Sequence, residues 1–461
     1  LRNYYYQLCL SAQEMAEPTV LIIGAGTFGT STAYHLAQTY KDPSRVTIID
    51  RWDSSSPAKA AAAIDVNRII YTDYVSPLYC NLANEAIHPW FWSLDLGHFF
   101  HKTGLMVLDD HNSGFPERVR NTLQQRGSDY TKDVDVLHPA KRWEVLGGMK
   151  TDGLGKSYFN PEAGWADAAL ATANFMTVAE RKGVKRVTGE VEELVFDIRR
   201  QKLVGARTSN NRTFTADQIV LAAGAWTSSI LTSIEDVLHV QAQDRIERQI
   251  KAVGRLSVYY TLSAEATNRL CEADMPIIVY RHQAILTPPS RENRTLKIND
   301  LSTEFVNMVT TKAGHQISVP SNRFQEDVPD KLKAATSELL RLFIPHFARE
   351  QKPERWRVCW DTKTPTGDWL LCKHPHPQLQ NLHLVVGGNF SSYKSMPIVG
   401  KYVCNVLNGK SNGEEKDLAW GWKSEETLRG GERKEELGCK EARALRPDFK
   451  AFEEETLTSK L

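Results

Sequence analysis

A glycine-rich turn near the start of the chain constrains the fold more than any other feature of the sequence. The segment GAGTFG, residues 24–29, follows the β-branched run 19–23 and opens residues 29–40, whose composition is helical. Glycines at these positions permit a tight turn, close approach of the backbone to a pyrophosphate and close packing of helix on strand. The strand-like run 45–49 then leads to Asp50, a carboxylate able to bind a ribose hydroxyl. Together they predict a βαβ unit that binds a dinucleotide.

Length and composition predict two globular domains and a small-molecule partner. The chain has 461 residues, 41% of them apolar, which is more than one ordinary core holds. Its formal net charge of +1 gives no field that would attract nucleic acid, and no apolar run reaches the roughly 18 residues of a membrane helix. Seven cysteines without a CxxC pair favour neither a disulfide framework nor a zinc site. We therefore expect no nucleic acid, membrane or metal partner.

Three features at the ends of the chain lie outside this pattern. The last three residues, Ser459-Lys460-Leu461, match the signal that the peroxisomal import receptor reads at a free C-terminus. They predict a peroxisomal location and that receptor as a partner. Met15 stands directly before the first predicted strand, so residues 1–14 are expected to be an upstream extension. From Gly409 onward charged residues dominate, which predicts a tail that lies on the surface or is partly disordered.

Three later segments distinguish between the dinucleotides that use such a turn. An apolar strand ends in AGAW at residues 219–226, the segment RVCWDTKTPTGDW spans 357–369, and GGNFSSYK at 387–394 precedes PIVGKYV at 397–403. In this order they resemble the fungal relatives of monomeric sarcosine oxidase in the D-amino-acid oxidase superfamily. That group includes the fructosyl amino acid oxidases (amadoriases) and the saccharopine and pipecolate oxidases. The resemblance covers residues 19 to about 422.

The resemblance implies an α/β fold with two interleaved domains. One is a Rossmann-like FAD-binding domain of the GR2 type, and the other is an α+β substrate domain built on a mixed or antiparallel sheet. Helical composition at 167–182 and strand-like composition at 184–195 and 218–222 agree with the first. An amphipathic helix is predicted at 330–347. The expected division is 15–86, 153–236 and 323–422 for the FAD-binding domain, 87–152 and 237–322 for the substrate domain, and 423–461 for a charged tail.

The resemblance also implies FAD as the cofactor, bonded covalently to Cys359 at the 8α position of the flavin. Such a bond needs a thiolate, which Arg357 and Lys363 could favour, whereas an inert buried cysteine is the ordinary alternative. Further positions expected to contact FAD match the family's cofactor-binding segments. They are Gly24, Gly26, Thr27, Phe28, Gly29, Asp50, Arg51, Asn67, Arg68, Val191, Ala223, Gly224, Trp226, Asp361, Asn389, Phe390 and Lys394.

Four residues match catalytic positions of the family. Lys297 matches the lysine on the oxygen-reacting side of the flavin, although a bare lysine is usually a surface charge. Lys394 matches the lysine that pairs with the substrate carboxylate, and Arg68 matches a basic residue that could hold the reduced flavin as its anion. Where sarcosine oxidase-like relatives place a second arginine for the carboxylate, this chain has Tyr71, which donates only one hydrogen bond. Altered carboxylate recognition is therefore expected.

The implied activity is oxidation of the C–N bond of a secondary amine or N-substituted amino acid by oxygen, giving an imine and hydrogen peroxide. Fructosyl amino acids, saccharopine and pipecolate are candidate substrates. Residues 389–392 replace glycines and a histidine of most relatives, so the loop is expected to bend less freely toward the flavin, and sarcosine is not expected to be the substrate. The alternatives are a biosynthetic oxidase whose imine cyclises, a flavin-binding protein without turnover and an NAD(P)-linked dehydrogenase. A monomer is expected.

Overall fold

The structure is a computed structural model that describes residues 16–52, 61–321, 328 and 330–430. The predicted extension 1–14, the C-terminal tripeptide and the tail beyond residue 430 lie outside the described residues.

Within the described residues the chain forms strands and helices, together with short 3₁₀ turns. The strands are β1 (Val20–Ile23), β2 (Val46–Asp50), β3 (Arg68–Ile70), β4 (Phe100–His101), β5 (Leu105–Leu108), β6 (Lys132–Val134), β7 (Ser157–Asn160), β8 (Gly164–Ala166), β9 (Lys185–Thr188), β10 (Val191–Asp197), β11 (Lys202–Thr208), β12 (Thr213–Thr215), β13 (Gln218–Leu221), β14 (Lys251–Thr261), β15 (Ile277–Tyr280), β16 (Ala284–Thr287), β17 (Thr295–Asp300), β18 (Met308–Thr310), β19 (Gln316–Ser318), β20 (Arg355–Lys363), β21 (Leu370–Lys373) and β22 (Leu382–Val386). The helices are α1 (Thr27–Thr39), α2 (Pro77–Trp92), α3 (Phe115–Gln125), α4 (His138–Arg142), α5 (Ala168–Arg181), α6 (Thr227–Val237), α7 (Ala264–Glu272), α8 (Asp330–Phe343), α9 (Pro345–Glu350), α10 (Met396–Leu407), α11 (Glu414–Trp420) and α12 (Glu425–Gly430).

A six-stranded sheet in the order β21-β22-β13-β1-β2-β9 carries the glycine-rich turn. Its strands run parallel except the edge strand β21, and Ile22 of β1 lies between Val220 of β13 and Ile48 of β2. All four residues of β1 are buried, as expected for a parallel strand that is covered on both faces. Helix α1 packs against α5 and α10. The parallel arrangement brings the carboxyl ends of β1, β2 and β13 to one edge, where dinucleotides bind in such sheets.

An eight-stranded sheet in the order β20-β14-β17-β16-β15-β5-β7-β6 forms the second layer. Its pairs are antiparallel except β5 with β15, so the sheet is mixed, as predicted. The eleven-residue strand β14 pairs along its length with β20, which sets Arg255 opposite Cys359. A single bridge between Ala61 and Trp360 joins the segment after β2 to this sheet.

The predicted α/β class is confirmed, and several predicted elements differ in detail. The single strand predicted at 184–195 is two strands, because β9 belongs to the six-stranded sheet and β10 to a separate sheet with β11 and β12. The helix predicted at 330–347 is broken, because Pro345 lacks the N–H that would continue α8 and instead begins α9. On its expected apolar side, Leu342 is exposed, whereas Leu332, Leu339, Leu340 and Phe343 are buried.

Residues 409–419 of the predicted tail are mostly exposed, as a surface tail requires, but Trp420 is buried. Helix α11 ends at Trp420, whose fully buried ring stacks on Trp369 with 5.0 Å between centroids. The division into two domains stays a prediction. Strands β7 and β20 lie in the eight-stranded sheet, although the predicted boundaries assign both to the FAD-binding domain. Among the described helices, none combines the length and apolar character required to cross a membrane.

Candidate active site

The glycine-rich turn leaves open space only on the side where a ligand would lie. A side chain at Gly24, whose φ is +102°, would meet the carbonyl oxygen of Ala222 at 2.5 Å. A side chain at Gly29 would lie 1.8 Å from the carbonyl oxygen of Gly24. By contrast, a side chain at Gly26 would meet no protein atom within 4 Å, and no side chain caps the N-terminus of α1 there. Packing therefore requires glycine at positions 24 and 29. Gly26 instead borders free volume beside the N-terminus of α1, which is suited to bind a phosphate.

Asp50 closes the turn from the end of β2. Its carboxylate accepts hydrogen bonds from Ala25 N at 2.6 Å and Trp52 N at 3.1 Å. Burial raises the pKa of Asp50, and these backbone donors and neighbouring arginines partly offset that rise. Next to it, the Arg51 guanidinium lies 4.2 Å from the ring centroid of Trp226. An arginine stacked on an indole beside a carboxylate forms a polar and aromatic end suited to an adenosine group.

One cavity extends from this turn to the eight-stranded sheet, with an empty volume of about 1340 Å³, open solvent included. Most of the predicted site residues line this cavity, although they lie far apart in the sequence. They are Gly24, Gly26, Thr27, Phe28, Asp50, Arg51, Asn67, Arg68, Tyr71, Ala223, Gly224, Trp226, Lys297, Cys359, Asp361 and Phe390. Gly29, Val191, Asn389 and Lys394 are not among the lining residues. Val191 begins β10 in the separate three-stranded sheet, and Gly29 packs against Gly24.

A fully buried carboxylate, Asp65, joins the predicted cations. Its Oδ2 accepts from Lys297 Nζ at 2.7 Å and from Arg68 Nη1 at 2.5 Å, and it lies 3.2 Å from Arg357 Nη1. The hydroxyl of Tyr259 donates to Oδ1 at 2.9 Å. Burial alone would raise the pKa of Asp65, but the three cations together hold it well below its usual range. Sequence reasoning missed Asp65, although it is the only acidic residue in the segment 64–71 that carries Arg68 and Tyr71.

Lys297 is a buried lysine held in one place. Besides Asp65, its Nζ donates to the carbonyl oxygen of Asn67 at 3.1 Å, and the residue is only 1% exposed. Burial lowers the pKa of Lys297 from 10.5 to about 8, with Asp65 acting in the opposite direction. The lysine is therefore mostly protonated at neutral pH and titrates slightly above it. The surface-charge alternative for Lys297 is excluded by this burial.

Cys359 lies in the middle of β20, and its nearest cation differs from the expectation. Arg68 Nη2 lies 3.1 Å from Cys359 Sγ. Arg357 and Lys363, which the sequence proposed for that role, form ion pairs with Asp65 and with Glu304, the latter at 2.9 Å. Successive residues of a strand point to opposite faces, so Arg357 and Cys359, two positions apart, lie on the same face of β20, and Cys359 lines the cavity.

The loop at 387–390 has an unusual backbone conformation at two residues that are not glycine. Asn389 and Phe390 both adopt left-handed backbone conformations, with φ of 51° and 59°. The Asn389 amide donates to Gly387 O at 2.7 Å and its Oδ1 accepts from Thr364 N at 3.0 Å, while Phe390 N donates to Asp361 Oδ2 at 2.8 Å. These bonds hold a conformation that asparagine tolerates better than most residues, and the expectation that the loop bends less freely than in most relatives stays a prediction.

Lys394 is the predicted site residue whose surroundings differ most from the expectation. It is 1% exposed, its Nζ donates to Tyr74 OH at 2.6 Å and to the carbonyl oxygen of Ser391, and it lies 3.8 Å from the ring centroid of Tyr71. Tyr71 lines the cavity and Lys394 does not. The lysine is thus engaged by the protein itself, behind an aromatic ring of the cavity wall.

Unsatisfied polar atoms in the cavity wall test whether a flavin cofactor fits. Both side-chain atoms of Asn67 and the indole Nε1 of Trp360 are buried, line the cavity and have no hydrogen-bond partner among the described residues. Buried polar groups rarely remain unpaired in native proteins. A ligand that carries both donors and acceptors would satisfy the Asn67 amide, as the edge of an isoalloxazine ring does. The residues present therefore fit FAD.

Comparison with known proteins agrees with this geometry. Three curated relatives cover most of this chain: the L-saccharopine oxidase of Schizosaccharomyces pombe, 23% identical over 88% of this chain and 94% of that protein; the amino acid oxidase imqH of Aspergillus flavus, 23% identical over 87% and 94%; and the human peroxisomal sarcosine oxidase, 22% identical over 83% and 90%.

Solved structures show the same fold. Fructosyl peptide oxidase from E. terrenum superposes with a TM-score of 0.78 at 23% identity, covering 94% of this chain and 97% of that one. Amadoriase II from Aspergillus fumigatus, in complex with FSA, gives 0.77 at 24% identity, covering 94% of each chain. The resemblance inferred from the sequence is confirmed. The family model described as "FAD dependent oxidoreductase" matches residues 19–406, and this chain belongs to that family.

Proposed function

We propose that this protein is an oxidase that uses FAD and oxygen to oxidise the C–N bond of a secondary amine, N-substituted amino acids included, giving an imine and hydrogen peroxide. The observation that carries the proposal is the buried lysine Lys297, held by Asp65 and placed with Arg68 beside Cys359 in the cavity. The names of the relatives, which include saccharopine, sarcosine and fructosyl peptide oxidases, support an amine-type substrate.

The cofactor site extends along the cavity. The glycine-rich turn would bind the pyrophosphate, and Asp50 with the stacked pair Arg51 and Trp226 would bind the adenosine end. The Asn67 amide would satisfy its donors and acceptors at the ring edge. When bound, FAD supplies the acceptor for the hydride and the reaction with oxygen.

We further propose that the cofactor is attached through Cys359. The sulfur is buried, lines the cavity and lies 3.1 Å from Arg68 Nη2. A cation at this distance would stabilise negative charge in the attached ring system. The arginine itself is fixed by Asp65, so it does not have to reorganise during the reaction.

The charges around Asp65 explain how Lys297 would act on oxygen. Three cations, Lys297, Arg68 and Arg357, surround one carboxylate, which leaves an excess of positive charge in a largely buried part of the site. A preorganised positive charge stabilises the negative charge that develops when oxygen is reduced. Asp65 keeps Lys297 protonated at neutral pH by raising its pKa against the effect of burial.

A peroxisomal location, with the import receptor as partner, is part of the proposal. Its support is the C-terminal tripeptide and the location in the name of the human relative. An enzyme that releases hydrogen peroxide fits that compartment.

The test is a steady-state panel of secondary amines and N-alkyl amino acids, with hydrogen peroxide as the measured product. Lys297→Met should slow the reaction with oxygen by about 100-fold, while reduction of the flavin by the amine continues. Lys156→Met, at a lysine whose side chain is 79% exposed, is the control and should match the wild type. A flavin-bearing protein that makes no peroxide from any amine would instead support the alternative of a binding protein without turnover.

A further inference from the structure

We propose, resting on the function proposed above, that the preferred substrate is a secondary amine with an apolar or aromatic group and without an α-carboxylate. Relatives of the sarcosine oxidase type are expected to bind the carboxylate through the residues at positions 71 and 394. In this chain Tyr71 carries no charge, and the ammonium group of Lys394 is already bound by the protein itself, so neither position offers the carboxylate a cation.

The first observation is that the ammonium group of Lys394 is already bound by neighbouring protein groups. One donates to Tyr74 OH at 2.6 Å and one to the carbonyl oxygen of Ser391. The ammonium group also lies 3.8 Å and 4.8 Å from the ring centroids of Tyr71 and Tyr74, within the range of a cation–π contact. A substrate carboxylate could reach Lys394 only if these contacts broke and the Tyr71 ring moved away.

The second observation is that Tyr71 belongs to a rigid aromatic wall. Its ring stacks on Tyr74 at 5.5 Å with an angle of 17° between the planes, and Tyr74 packs on Tyr79 at 6.0 Å. Tyr79 lies edge-on to Trp369, and its hydroxyl accepts a hydrogen bond from Trp369 N at 3.0 Å. All of these residues except the cavity-facing side of Tyr71 are enclosed by the protein. Moving Tyr71 would therefore disturb several packed rings.

The third observation concerns the other cations. Among the described residues, the cations that line the cavity are Arg51, Arg68, Arg255 and Lys297. Arg68 and Lys297 bind Asp65 beside Cys359, where the cofactor is proposed to attach. Arg255 binds Glu304 through Nε at 2.9 Å, and Arg51 lies on Trp226 and 3.8 Å from Glu190.

Part of the cavity lining is apolar. Ile69, Ile285 and Leu301 line the cavity and belong to the same hydrophobic cluster as Tyr71, whereas Ser257, Thr287 and Asn299 supply polar groups elsewhere in the lining. The apolar part favours a hydrocarbon or aromatic group of the ligand. An α-carboxylate buried there would lose its hydration without gaining an ion pair, and burial of an unpaired charge is strongly unfavourable.

The experiment compares two matched substrates, N-methyl-2-phenylethylamine and N-methylphenylalanine, which differ by the α-carboxylate alone. Each is mixed anaerobically with the holoprotein, and the second-order rate constant for loss of flavin absorbance is measured. We expect the constant for the amine to exceed that for the amino acid by more than about tenfold. An equal or larger constant for the amino acid would overturn the inference and leave the proposed function standing. Failure of every amine in the wider panel to bleach the flavin would overturn both.

Variants locate the cause of the preference. Tyr71→Arg, which supplies a guanidinium at the cavity wall, should shift the ratio of the two constants toward the amino acid by about tenfold. Tyr71→Phe, the matched control that keeps the ring, should leave the ratio unchanged. Lys394→Met should change both constants by the same factor. A selective loss of amino acid oxidation in Lys394→Met would show that the lysine does bind the carboxylate and would contradict the inference, even if Tyr71→Arg failed to fold.

Discussion

Asp65 shows what the sequence does and does not reveal about single residues. Matching to known motifs found Arg68, Lys297 and Cys359, because each lies in a segment with a characteristic composition. It did not find Asp65, which bonds to Lys297 across 232 positions of the chain. No local pattern encodes a contact of that separation. It depends on the pairing of β17 with β14 and of β14 with β20, and on the bridge between Ala61 and Trp360 that joins the segment before Asp65 to this sheet.

Replacing Asp65 with asparagine should shift the pH dependence of the reaction with oxygen. Asp65 raises the pKa of Lys297, so its removal should lower that pKa further below about 8. The rate that depends on protonated Lys297 falls as pH rises through this pKa, so in Asp65→Asn the fall should begin at lower pH. The measurement is the rate of flavin reoxidation by oxygen against pH.

The same variant should lose about 3 kcal/mol or more of unfolding free energy, because it leaves buried cations with less compensation. Asp110→Asn removes the carboxylate of a half-exposed ion pair with Arg281 and is the control for both effects. A pH profile of Asp65→Asn that coincides with the wild type would show that Asp65 does not act through Lys297.

A further prediction concerns the attachment of the cofactor at Cys359. In wild-type protein precipitated with acid, the yellow colour should stay in the pellet, and in Cys359→Ser it should pass into the supernatant. Cys404→Ser is the matched control, since Cys404 is also buried but lies in α10, outside the residues that line the cavity. Colour retained in the Cys359→Ser pellet would place the attachment elsewhere.

Among strands and helices, local composition predicted those elements whose ends are marked by strong signals. The unit β1-α1-β2 was predicted within about two residues, because a buried β-branched run and glycines mark its boundaries. The break between β9 and β10 was missed, since β-branched residues continue on both sides of Gly189. The burial of Trp420 was missed because its partner, Trp369, lies in another segment. Both features were missed for the same reason: they depend on tertiary contacts, which local composition does not reveal.

The glycine-rich turn allows packing and ligand binding to be separated by two matched variants. Gly29→Ala would force a side chain to within 1.8 Å of Gly24 O, so it should cost about 1–3 kcal/mol of unfolding free energy. Gly26→Ala meets no protein atom within 4 Å and should leave stability within about 0.5 kcal/mol, but it would occupy the ligand's space and reduce the flavin content. Thermal unfolding and flavin absorbance per protein measure the two effects. Full flavin content in Gly26→Ala would contradict the proposed pyrophosphate position.

For the molecule as a whole, the order of the motifs along the chain predicted more of the fold and the family than any single motif did. It implied the α/β class and the family, and both are confirmed. It also implied a substrate role for Lys394, which stays a prediction, because resemblance transfers a residue's position and not its neighbours. Tyr71 is one of those neighbours here, and its ring makes a cation–π contact with the Lys394 ammonium.

The account rests on a flavin held between the glycine-rich turn and Cys359, in a cavity that oxidises amines. The most direct test is the absorption spectrum of the purified protein before and after anaerobic addition of a secondary amine. We predict a flavin spectrum that bleaches with the amine and returns, with an equimolar amount of hydrogen peroxide, when oxygen is admitted. A protein without isoalloxazine absorbance, or a flavin spectrum that no secondary amine changes, would contradict the account.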